Sequence, residues 1–290
     1  MDDDGNVVWY DSETGREFVR KINCAKFDEY VKNRYGLYLP KPVTYAVCAY
    51  YNTGSNILLS GDPGTGKTML IKALAEYAKI KSDTEGDNRY FRVQMYPGIT
   101  YVDFIGDWDY PRQLIVTQVM RKGIEVSPGD IDKVARELYE VSKIVYNKDY
   151  YFRKGPAVKA LEAACDGSIL HVDELNRGSE ESQALLFELT GEKQVTHPSA
   201  GTFVSADRYT ADGEEVDYRT KFPQFPIVIA TINEGDVATV ELSSALMRRF
   251  ERVVVPRPSA GVQVQAVKAR IPAEKLAKAE EVLSSVIPSP

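Results

Sequence analysis

Short apolar or alternating runs, separated by helical patterns, recur along most of the chain. Five such runs are bounded by polar or turn-forming residues, which is typical of strands. After the first run, Leu70, Ala73, Leu74 and Tyr77 share one face of a predicted helix. Strands separated by helices indicate a parallel sheet covered on both faces. The predicted strands are NILLS (56–60), RYFRVQMYP (89–97), SILHV (168–172), PIVIATIN (226–233) and FERVVVP (250–256).

The two ends of the chain differ from this pattern. Residues 7–20 alternate around SETG and predict a small hairpin, and 42–52 predict a short helix. After residue 256, AGVQVQAVKA and AEKLAKAEEVLSSV predict two helices. The predicted organisation is an N-terminal extension (1–40), a core (41–256) with inserts at 111–150 and 195–222, and a partial helical lid (257–290).

The two inserts have patterns of their own. In 127–148, apolar residues at helical spacing follow Asp130, a plausible N-cap, and predict an amphipathic helix. That helix either packs on the core or moves and contacts a partner. Residues 194–222 predict two extended arms around the acidic tip ADGEEVD, with a surface loop as the alternative.

Composition and charge narrow the class of protein. The chain has 290 residues, of which 43% are hydrophobic and 27% charged, as in ordinary globular domains. No stretch is long and apolar enough for a membrane span, and the acidic N-terminus lacks a signal-peptide layout. The net charge of −6, without a basic run, weakens a nucleic-acid role. A cytoplasmic protein is therefore expected.

Cysteine usage supports the same expectation. Cys24, Cys48 and Cys165 are widely spaced and odd in number, which indicates neither a disulfide framework nor a zinc site. We therefore expect reduced thiols.

The sequence GDPGTGKT at residues 61–68 fits the phosphate-loop pattern G-x-x-x-x-G-K-[ST] at every position. It lies between a predicted strand and a predicted amphipathic helix, where its N–H groups can surround phosphates. Lys67 is expected to reach the β and γ phosphates of the nucleotide, and the Thr68 hydroxyl to bind Mg²⁺. The predicted nucleotide-binding residues are Asp62, Pro63, Gly64, Thr65, Gly66, Lys67, Thr68 and Met69.

Two adjacent carboxylates, Asp173 and Glu174, follow the apolar run 168–172. A phosphate loop requires a carboxylate on the magnesium side, at the end of a neighbouring strand. Asp173 is therefore expected to hold the metal through water, and Glu174 to orient and polarise the attacking water. Hydrolysis requires this second group, whereas nucleotide binding alone does not. His171 is predicted to pack within the strand.

The two motifs together resemble those of the AAA+ ATPases. Within these, HVDELNR followed by ESQALLFELTGEKQVT is similar to the MoxR-type group, whose usual form is DEINR, a helix and a Gln-Val-Thr strand. The resemblance covers roughly residues 40–260. Further agreeing stretches are RVQMYPGITYVDFIGDWDY (92–110), FRKGPAVKALEAACDGSILHVDE (152–174), IATINEGD (229–236) and LSSALMRRF (242–250).

The resemblance implies a fold class: an α/β P-loop NTPase core with a parallel five-stranded sheet between helices. It also implies a helix-2 insert and a pre-sensor hairpin, both commonly facing a central pore. The lid departs from the group, because only 34 residues follow residue 256 (290 − 256 = 34) and Arg270 does not clearly match a second sensor. A short or truncated lid is therefore expected.

The resemblance also implies residue roles. Asn233 is similar to the sensor that positions the lytic water with Glu174, the alternative being a strand cap. Arg248 or Arg249 resembles the arginine finger that reaches the γ-phosphate of a neighbouring subunit. Asn176 and Arg177 either link to an adjacent subunit or cap the helix that begins near residue 179.

The leading prediction is a Mg²⁺-dependent ATPase that forms a homo-oligomeric, usually hexameric, ring and remodels a protein client, with a VWA-type partner as one option. One alternative is a McrB-like motor subunit that uses GTP and translocates DNA. Another is a scaffold subunit that binds ATP and hydrolyses it slowly.

Overall fold

The computed structural model describes residues 1–10, 16–84, 86–110, 136, 139–140, 151–206, 225–235 and 242–268. Its elements are β1 (Val7–Tyr10), β2 (Glu17–Lys21), α1 (Cys24–Tyr35), α2 (Lys41–Thr53), β3 (Ile57–Gly61), α3 (Lys67–Tyr77), β4 (Tyr90–Gln94), α4 (Tyr101–Phe104), β5 (Gly106–Trp108), β6 (Phe152–Lys154), α5 (Pro156–Glu162), β7 (Ile169–Asp173), α6 (Glu180–Glu192), β8 (Gln194–His197), β9 (Gly201–Val204), β10 (Ile227–Asn233), α7 (Ser244–Met247), β11 (Glu251–Val254) and α8 (Ala260–Lys268). Short 3-10 turns, Ala164–Asp166 and Leu175–Arg177, flank β7.

Five strands form one sheet in the order β11-β3-β10-β7-β4, and every neighbouring pair is parallel. The predicted α/β architecture with a five-stranded parallel sheet is confirmed. Each predicted strand is present, with boundaries within a few residues of those expected. The consecutive strands β4, β7 and β10 are neighbours in the sheet, whereas β3 is separated from β4 and β10 from β11. Parallel pairing requires connections that cross a face of the sheet.

Both faces of the sheet are buried, because successive strand residues point to opposite sides. In β3, Ile57 and Leu59 belong to one apolar cluster and Leu58 to the other. The first cluster includes residues of α1, α2 and α3, and the second includes residues of α5 and α6. The sheet is therefore the middle layer of a three-layer structure, as its apolar strands require.

The predicted N-terminal hairpin is present as β1 and β2, which pair antiparallel. Phe18 and Val19 of β2 are buried in the same cluster as β3 and α3. The Tyr51 hydroxyl donates to Val19 O at 2.6 Å, and Val19 N donates to Ala78 O at 2.9 Å. The extension is thus packed into the core layer formed by α1 to α3, although the boundary at residue 40 itself stays a prediction.

The expectation that all cysteines are reduced thiols is wrong. Cys24 of α1 and Cys48 of α2 form a disulfide, with their Cα atoms 5.6 Å apart. The two residues are 24 positions apart, and only the packing of α1 against α2 brings them together. Spacing along the sequence carries no signal for such a pair.

The second insert turns earlier than predicted. Strands β8 and β9 pair antiparallel from Gln194 opposite Val204 to His197 opposite Gly201, so the hairpin tip lies at residues 198–200. The predicted tip ADGEEVD at 211–217 is therefore not the turn of this hairpin, and it lies outside the described residues. A tight turn is formed by Pro198, Ser199, Ala200 and Gly201. The prediction of longer arms did not include this turn.

Three further predictions are only partly covered. The amphipathic helix 127–148 lies outside the described residues apart from 136, 139 and 140, which are helical. The first predicted lid helix is present as α8, and residues 269–290, which include the second, lie outside the described part. No helix in the described part of the chain is both long and apolar enough to cross a membrane.

Candidate nucleotide site

The carboxyl ends of four strands meet at one edge of the sheet, because all are parallel. The pairing register places Asn233 level with Gly61, and Gln94 level with Asp173. The phosphate loop begins at this edge as β3 ends. Sheet topology thus brings together segments that are up to 172 residues apart in sequence (233 − 61 = 172).

The phosphate loop has the backbone that its glycines predict. Gly64 and Gly66 have φ values of +78° and +93°, in the left-handed region that favours glycine. A Cβ on Gly66 would lie 2.5 Å from a methyl carbon of Leu37, so this glycine also lets the segment between α1 and α2 approach the loop. Helix α3 then begins at Lys67 and directs its first N–H groups toward the edge.

Lys67 is turned back onto the loop. Its Nζ donates to Gly61 O and to Asp62 O, each at 2.8 Å. Burial lowers the pKa of Lys67, and the nearby Asp173 and Asp62 carboxylates partly oppose that effect. The ammonium therefore lies at the loop, within the cavity where phosphates would be held.

Asp173 is a buried carboxylate with several polar neighbours. The Thr231 hydroxyl donates to its Oδ1 at 2.6 Å, and Arg92 Nη2 forms an ion pair with its Oδ2. His171 is fully buried, with Nδ1 2.6 Å from the Tyr90 hydroxyl and Nε2 3.6 Å from Asp173 Oδ1. Burial opposes ionisation of Asp173, but contacts with His171, Thr231 and Arg92 outweigh it and lower the pKa of the carboxyl. The carboxyl is therefore ionised at neutral pH, which is the form that can bind a metal.

Glu174 leaves the strand through a left-handed backbone, with φ +55° and ψ +49°. Such a conformation costs a non-glycine residue about 1 kcal/mol or more and is common at functional sites. The backbone N–H of Glu174 donates to Thr231 Oγ1 at 2.9 Å, which fixes the turn. This turn points the Glu174 side chain away from Asp173 and toward the neighbouring strand ends.

The Glu174 carboxylate is held between two amides. Asn233 Nδ2 donates to Oε1 at 3.0 Å, and Gln94 Nε2 donates to Oε2 at 2.7 Å. Arg177 Nη1 also lies 3.1 Å from Oε2. The predicted sensor and the predicted base are therefore in direct contact, an arrangement that orients the carboxylate.

These groups line a cavity of about 450 Å³. Its donor set fits a magnesium-bound nucleoside triphosphate: backbone N–H groups and a lysine for phosphates, and one hydroxyl and one carboxylate for the metal. Gly64 supports the fit, because an added Cβ there would meet no atom within 4 Å and the loop is open. The cavity is lined by Pro63, Gly64, Thr65, Gly66, Lys67, Thr68, Met69, Arg92, Gln94, Asp173, Glu174, Thr231 and Asn233.

Asp62 is the one predicted loop residue that does not line the cavity. Its carboxylate instead pairs with Arg257, whose Nε lies 3.0 Å from Oδ2. This contact links the loop to the segment that follows β11.

Arg248 and Arg249 lie outside the cavity of their own chain, on the surface after α7. Arg249 is exposed but contacts its own chain: Nη1 donates to Phe187 O, and the guanidinium lies 5.0 Å from the centre of the Phe187 ring. The Arg249 carbonyl accepts from Asn56 Nδ2 at 3.2 Å. Arg248 is exposed, and its side chain has no such contact within the described residues. The two arginines therefore have different environments.

Asn176 and Arg177 do not cap α6. The Ser179 hydroxyl accepts from Ser182 N at 3.3 Å and caps this helix itself. Asn176 Nδ2 donates to Asn233 O at 3.1 Å, and Arg177 pairs with Glu174. The capping interpretation is wrong, because both side chains turn back toward the strand ends.

Sequence reasoning missed three cavity residues: Arg92, Gln94 and Thr231. Arg92 and Gln94 lie on one face of β4, two residues apart, at the end that borders β7. A polar residue at alternate positions near the end of a buried strand was the available signal. Thr231 offered less, because a threonine inside IVIATIN is an ordinary strand residue.

Comparison with known proteins gives a consistent match. Residues 56–250, more than half of the chain, match the AAA domain (dynein-related subfamily). A relative named Uncharacterized protein YojN, from Bacillus subtilis (strain 168), is 28% identical over 204 residues, which is 70% of this chain and 48% of that protein. Uncharacterized protein SAB1265c, from Staphylococcus aureus (strain bovine RF122 / ET3-1), is 26% identical over 205 residues, which is 70% of this chain and 56% of that protein. The chain thus spans about half the length of these relatives.

Among solved structures, a Cytophaga hutchinsonii ATCC 33406 protein whose name gives it as a candidate ATPase is 20% identical. The structural alignment covers 84% of this chain and 55% of that protein's chain, with a TM-score of 0.48.

Proposed function

The chain belongs to the AAA domain family, in its dynein-related subfamily, and from this premise we propose that it is a Mg²⁺-dependent ATPase. The observation that carries the proposal is the contact of Asn233 Nδ2 with Glu174 Oε1 at 3.0 Å, beside Asp173 and the phosphate loop. A site that only bound nucleotide would not need an oriented second carboxylate at this place.

Binding uses the loop and α3. Backbone N–H groups of residues 64–68 surround the phosphates, and Lys67 moves from the carbonyls of Gly61 and Asp62 to the β and γ phosphates. Thr68 and Asp173 are the groups that would hold Mg²⁺, Asp173 through water. The metal supplies neutralisation of the phosphate charge when bound.

Hydrolysis uses Glu174 as the group that orients and polarises the attacking water. Asn233 and Gln94 hold the two carboxylate oxygens, so the side chain meets the water without reorganising. Asn233 itself can accept or donate to the same water, as its sensor-like position suggests. Proximity and electrostatic stabilisation, rather than covalent chemistry, account for the rate.

Arg248 completes the site of a neighbouring subunit in this proposal. Both arginines are exposed and neither lines its own cavity, but Arg249 is held by Phe187 and Arg248 has no such contact within the described residues. A fixed cation at a neighbour's γ-phosphate stabilises charge in the transition state. The proposal therefore includes a homo-oligomeric ring. Six subunits is the usual number in the AAA+ ATPases that the sequence resembles.

The finer assignment is a MoxR-type protein that remodels or assembles a protein client. It is supported by the residues quoted for the resemblance and by the hairpin β8–β9, which precedes the sensor strand β10. The net charge of −6 favours a protein client, a VWA-type partner included, over a nucleic acid. A cytoplasmic location belongs to the same proposal.

Replacement of Glu174 tests the proposed chemistry. In Glu174→Gln, phosphate release from ATP should fall about 100-fold or more, because general-base contributions are typically of that size. Affinity for a fluorescent ATP analogue should stay within a few fold of wild type, because the phosphate loop is intact. Thr202→Ala, on the hairpin, is a control that leaves the cavity unchanged. Turnover that survives in Glu174→Gln would rule out the assigned base.

A further inference from the structure

Arg92 is a cationic side chain at the acid predicted to bind the metal. It projects from β4, the strand beside β7, and its Nη2 pairs with Asp173 Oδ2. The same Nη2 donates to Gln94 Oε1 at 3.0 Å, which fixes the guanidinium over the strand ends. Arg92 lines the cavity together with Asp173, so its guanidinium borders the space that a nucleotide would occupy.

Burial makes this ion pair different from an ordinary surface pair. The Asp173 side chain is 8% exposed and the Arg92 side chain 45% exposed. Fully exposed pairs contribute little, but a carboxylate removed from water needs a compensating cation or a set of hydrogen bonds. His171 Nε2 lies 3.6 Å from Asp173 Oδ1, beyond hydrogen-bonding distance. Lys67 faces the carbonyls of its own loop, which leaves Arg92 as the cation in contact with Asp173 among the described residues.

We propose that the Arg92 guanidinium and Mg²⁺ compete for the Asp173 carboxylate, so that Arg92 sets how strongly nucleotide binding depends on the metal. This inference rests on the proposed function, since it requires a magnesium-nucleotide site in the cavity. Arg92 acts here as a positioning residue: it holds the Asp173 carboxylate at the cavity when no metal is bound.

Two consequences follow from the competition. Without Mg²⁺, the guanidinium supplies positive charge inside the cavity and supports the binding of a nucleotide's phosphates. With Mg²⁺, the guanidinium has to give up or share Asp173, so part of the metal's binding free energy is offset. Removing Arg92 therefore weakens nucleotide binding without Mg²⁺ and increases the affinity gained when Mg²⁺ is added. Both changes raise the Kd without Mg²⁺ relative to the Kd with Mg²⁺.

The test measures the Kd of a fluorescent, non-hydrolysable ATP analogue in EDTA and in excess Mg²⁺. The quantity of interest is the Kd in EDTA divided by the Kd in Mg²⁺. In Arg92→Met this ratio should rise about three- to tenfold over wild type, the scale of a partly buried ion pair. A purely structural role would change both Kd values equally and leave the ratio unchanged.

Arg16→Met is the matched control. Arg16 pairs with Asp166, whose side chain is 11% exposed, and Asp166 lies three residues before β7, at the end of that strand opposite the cavity. The control removes the same charge from a similarly buried acid, and its ratio should equal that of wild type. Arg92→Lys keeps the charge but cannot bridge Asp173 and Gln94 with one planar group, so its ratio should lie between wild type and Arg92→Met.

The outcomes separate the inference from the proposed function. A ratio that is unchanged or lower in both Arg92 variants overturns the competition, even if wild type binds nucleotide well. Failure of the wild-type chain to bind the analogue in either condition overturns the proposed function instead. If Arg92→Met does not fold, as judged by its melting curve, the comparison of Arg92→Lys with wild type decides the question.

Discussion

Individual residues decide which of two adjacent arginines can serve a neighbouring site. Both lie at the place that the resemblance gives to the arginine finger, and the sequence does not distinguish them. In the structure, Arg249 is packed on Phe187 and beside Gly191, where an added Cβ would lie 2.1 Å from Nη1. Arg248 is exposed. The environment therefore favours Arg248 as the residue that acts in trans.

A mixing experiment tests this assignment. Arg248→Ala alone should lose about 1,000-fold or more in kcat, in the range seen when such arginines are missing. Mixing Arg248→Ala chains with Glu174→Gln chains should restore part of the activity, because some interfaces then combine an intact Glu174 with an intact Arg248. Arg249→Ala serves as the comparison, with an expected loss mainly of stability. If Arg249→Ala loses turnover and Arg248→Ala does not, the assignment is reversed.

Lys193 gives a prediction about stability and pH. It is a buried lysine whose Nζ donates to Asn56 Oδ1 at 3.1 Å and to Pro226 O at 2.8 Å. Burial lowers its pKa from 10.5 to about 8. Between these values the unfolded chain binds more protons than the folded one, so this residue makes the free energy of unfolding rise with pH.

The measurement compares wild type with Lys193→Met in urea at several pH values from about 7.5 to 10. The stability of wild type relative to the variant should increase by up to about 3 kcal/mol across the range. Below about pH 8 the difference between the two proteins should be constant, because Lys193 is then charged in both states. A difference that does not change with pH would show that Lys193 is not a depressed titrating group.

At the scale of elements, the pair of helices α1 and α2 has a covalent link that cysteine spacing did not predict. The disulfide Cys24–Cys48 closes a loop of 24 residues. In the chain-entropy account, a crosslink that closes a loop of this size lowers the entropy of the unfolded chain and raises the free energy of unfolding by about 3 kcal/mol. The same helices cover β3 and the phosphate loop, so the link supports the layer next to the site.

Replacing both cysteines tests this contribution. The double variant Cys24→Ser, Cys48→Ser should lose about 2–4 kcal/mol in free energy of unfolding relative to oxidised wild type. A reducing agent should lower the stability of wild type and leave that of the double variant unchanged. Cys165→Ser, outside the disulfide, is the control. Equal stability of the double variant and oxidised wild type would contradict the prediction.

Element boundaries were predictable where one pattern dominated. All five sheet strands follow apolar or alternating runs, because a strand buried on both faces requires them. The hairpin β8–β9 was placed correctly in its first arm, but its turn falls at residues 198–200 instead of 211–217. Residue types at both places are compatible with a turn, and only the strand pairing, such as that of Val195 with Phe203, selects between them.

At the scale of the whole molecule, the proposed ring makes activity depend on concentration. A finger arginine cannot act on its own chain's nucleotide, so the rate of ATP hydrolysis per chain should climb with protein concentration and then level off. Phosphate release from ATP and from GTP, measured across a concentration series, checks this. A rate per chain that does not change with concentration would contradict sites shared between subunits. A preference for GTP would favour the alternative of a McrB-like motor subunit.

The length of the relatives matters to that measurement. The chain spans about half of the proteins that it matches. The match therefore leaves about half of each relative without an aligned segment in this chain. The proposed client is therefore to be tested separately from the proposed nucleotide chemistry, which depends on the cavity residues described above.

The sequence by itself determined the chemistry of single segments. Local residue types and periodicity can be read directly from the sequence. They were enough to identify the phosphate loop, the Asp173–Glu174 pair and the strands. Only the tertiary structure decided which distant side chains meet. Arg92 on Asp173, Gln94 and Asn233 on Glu174, and Cys24 on Cys48 all depend on strand order, register and helix packing. Those are set by the burial of apolar surface over the whole core, which no short stretch of sequence specifies.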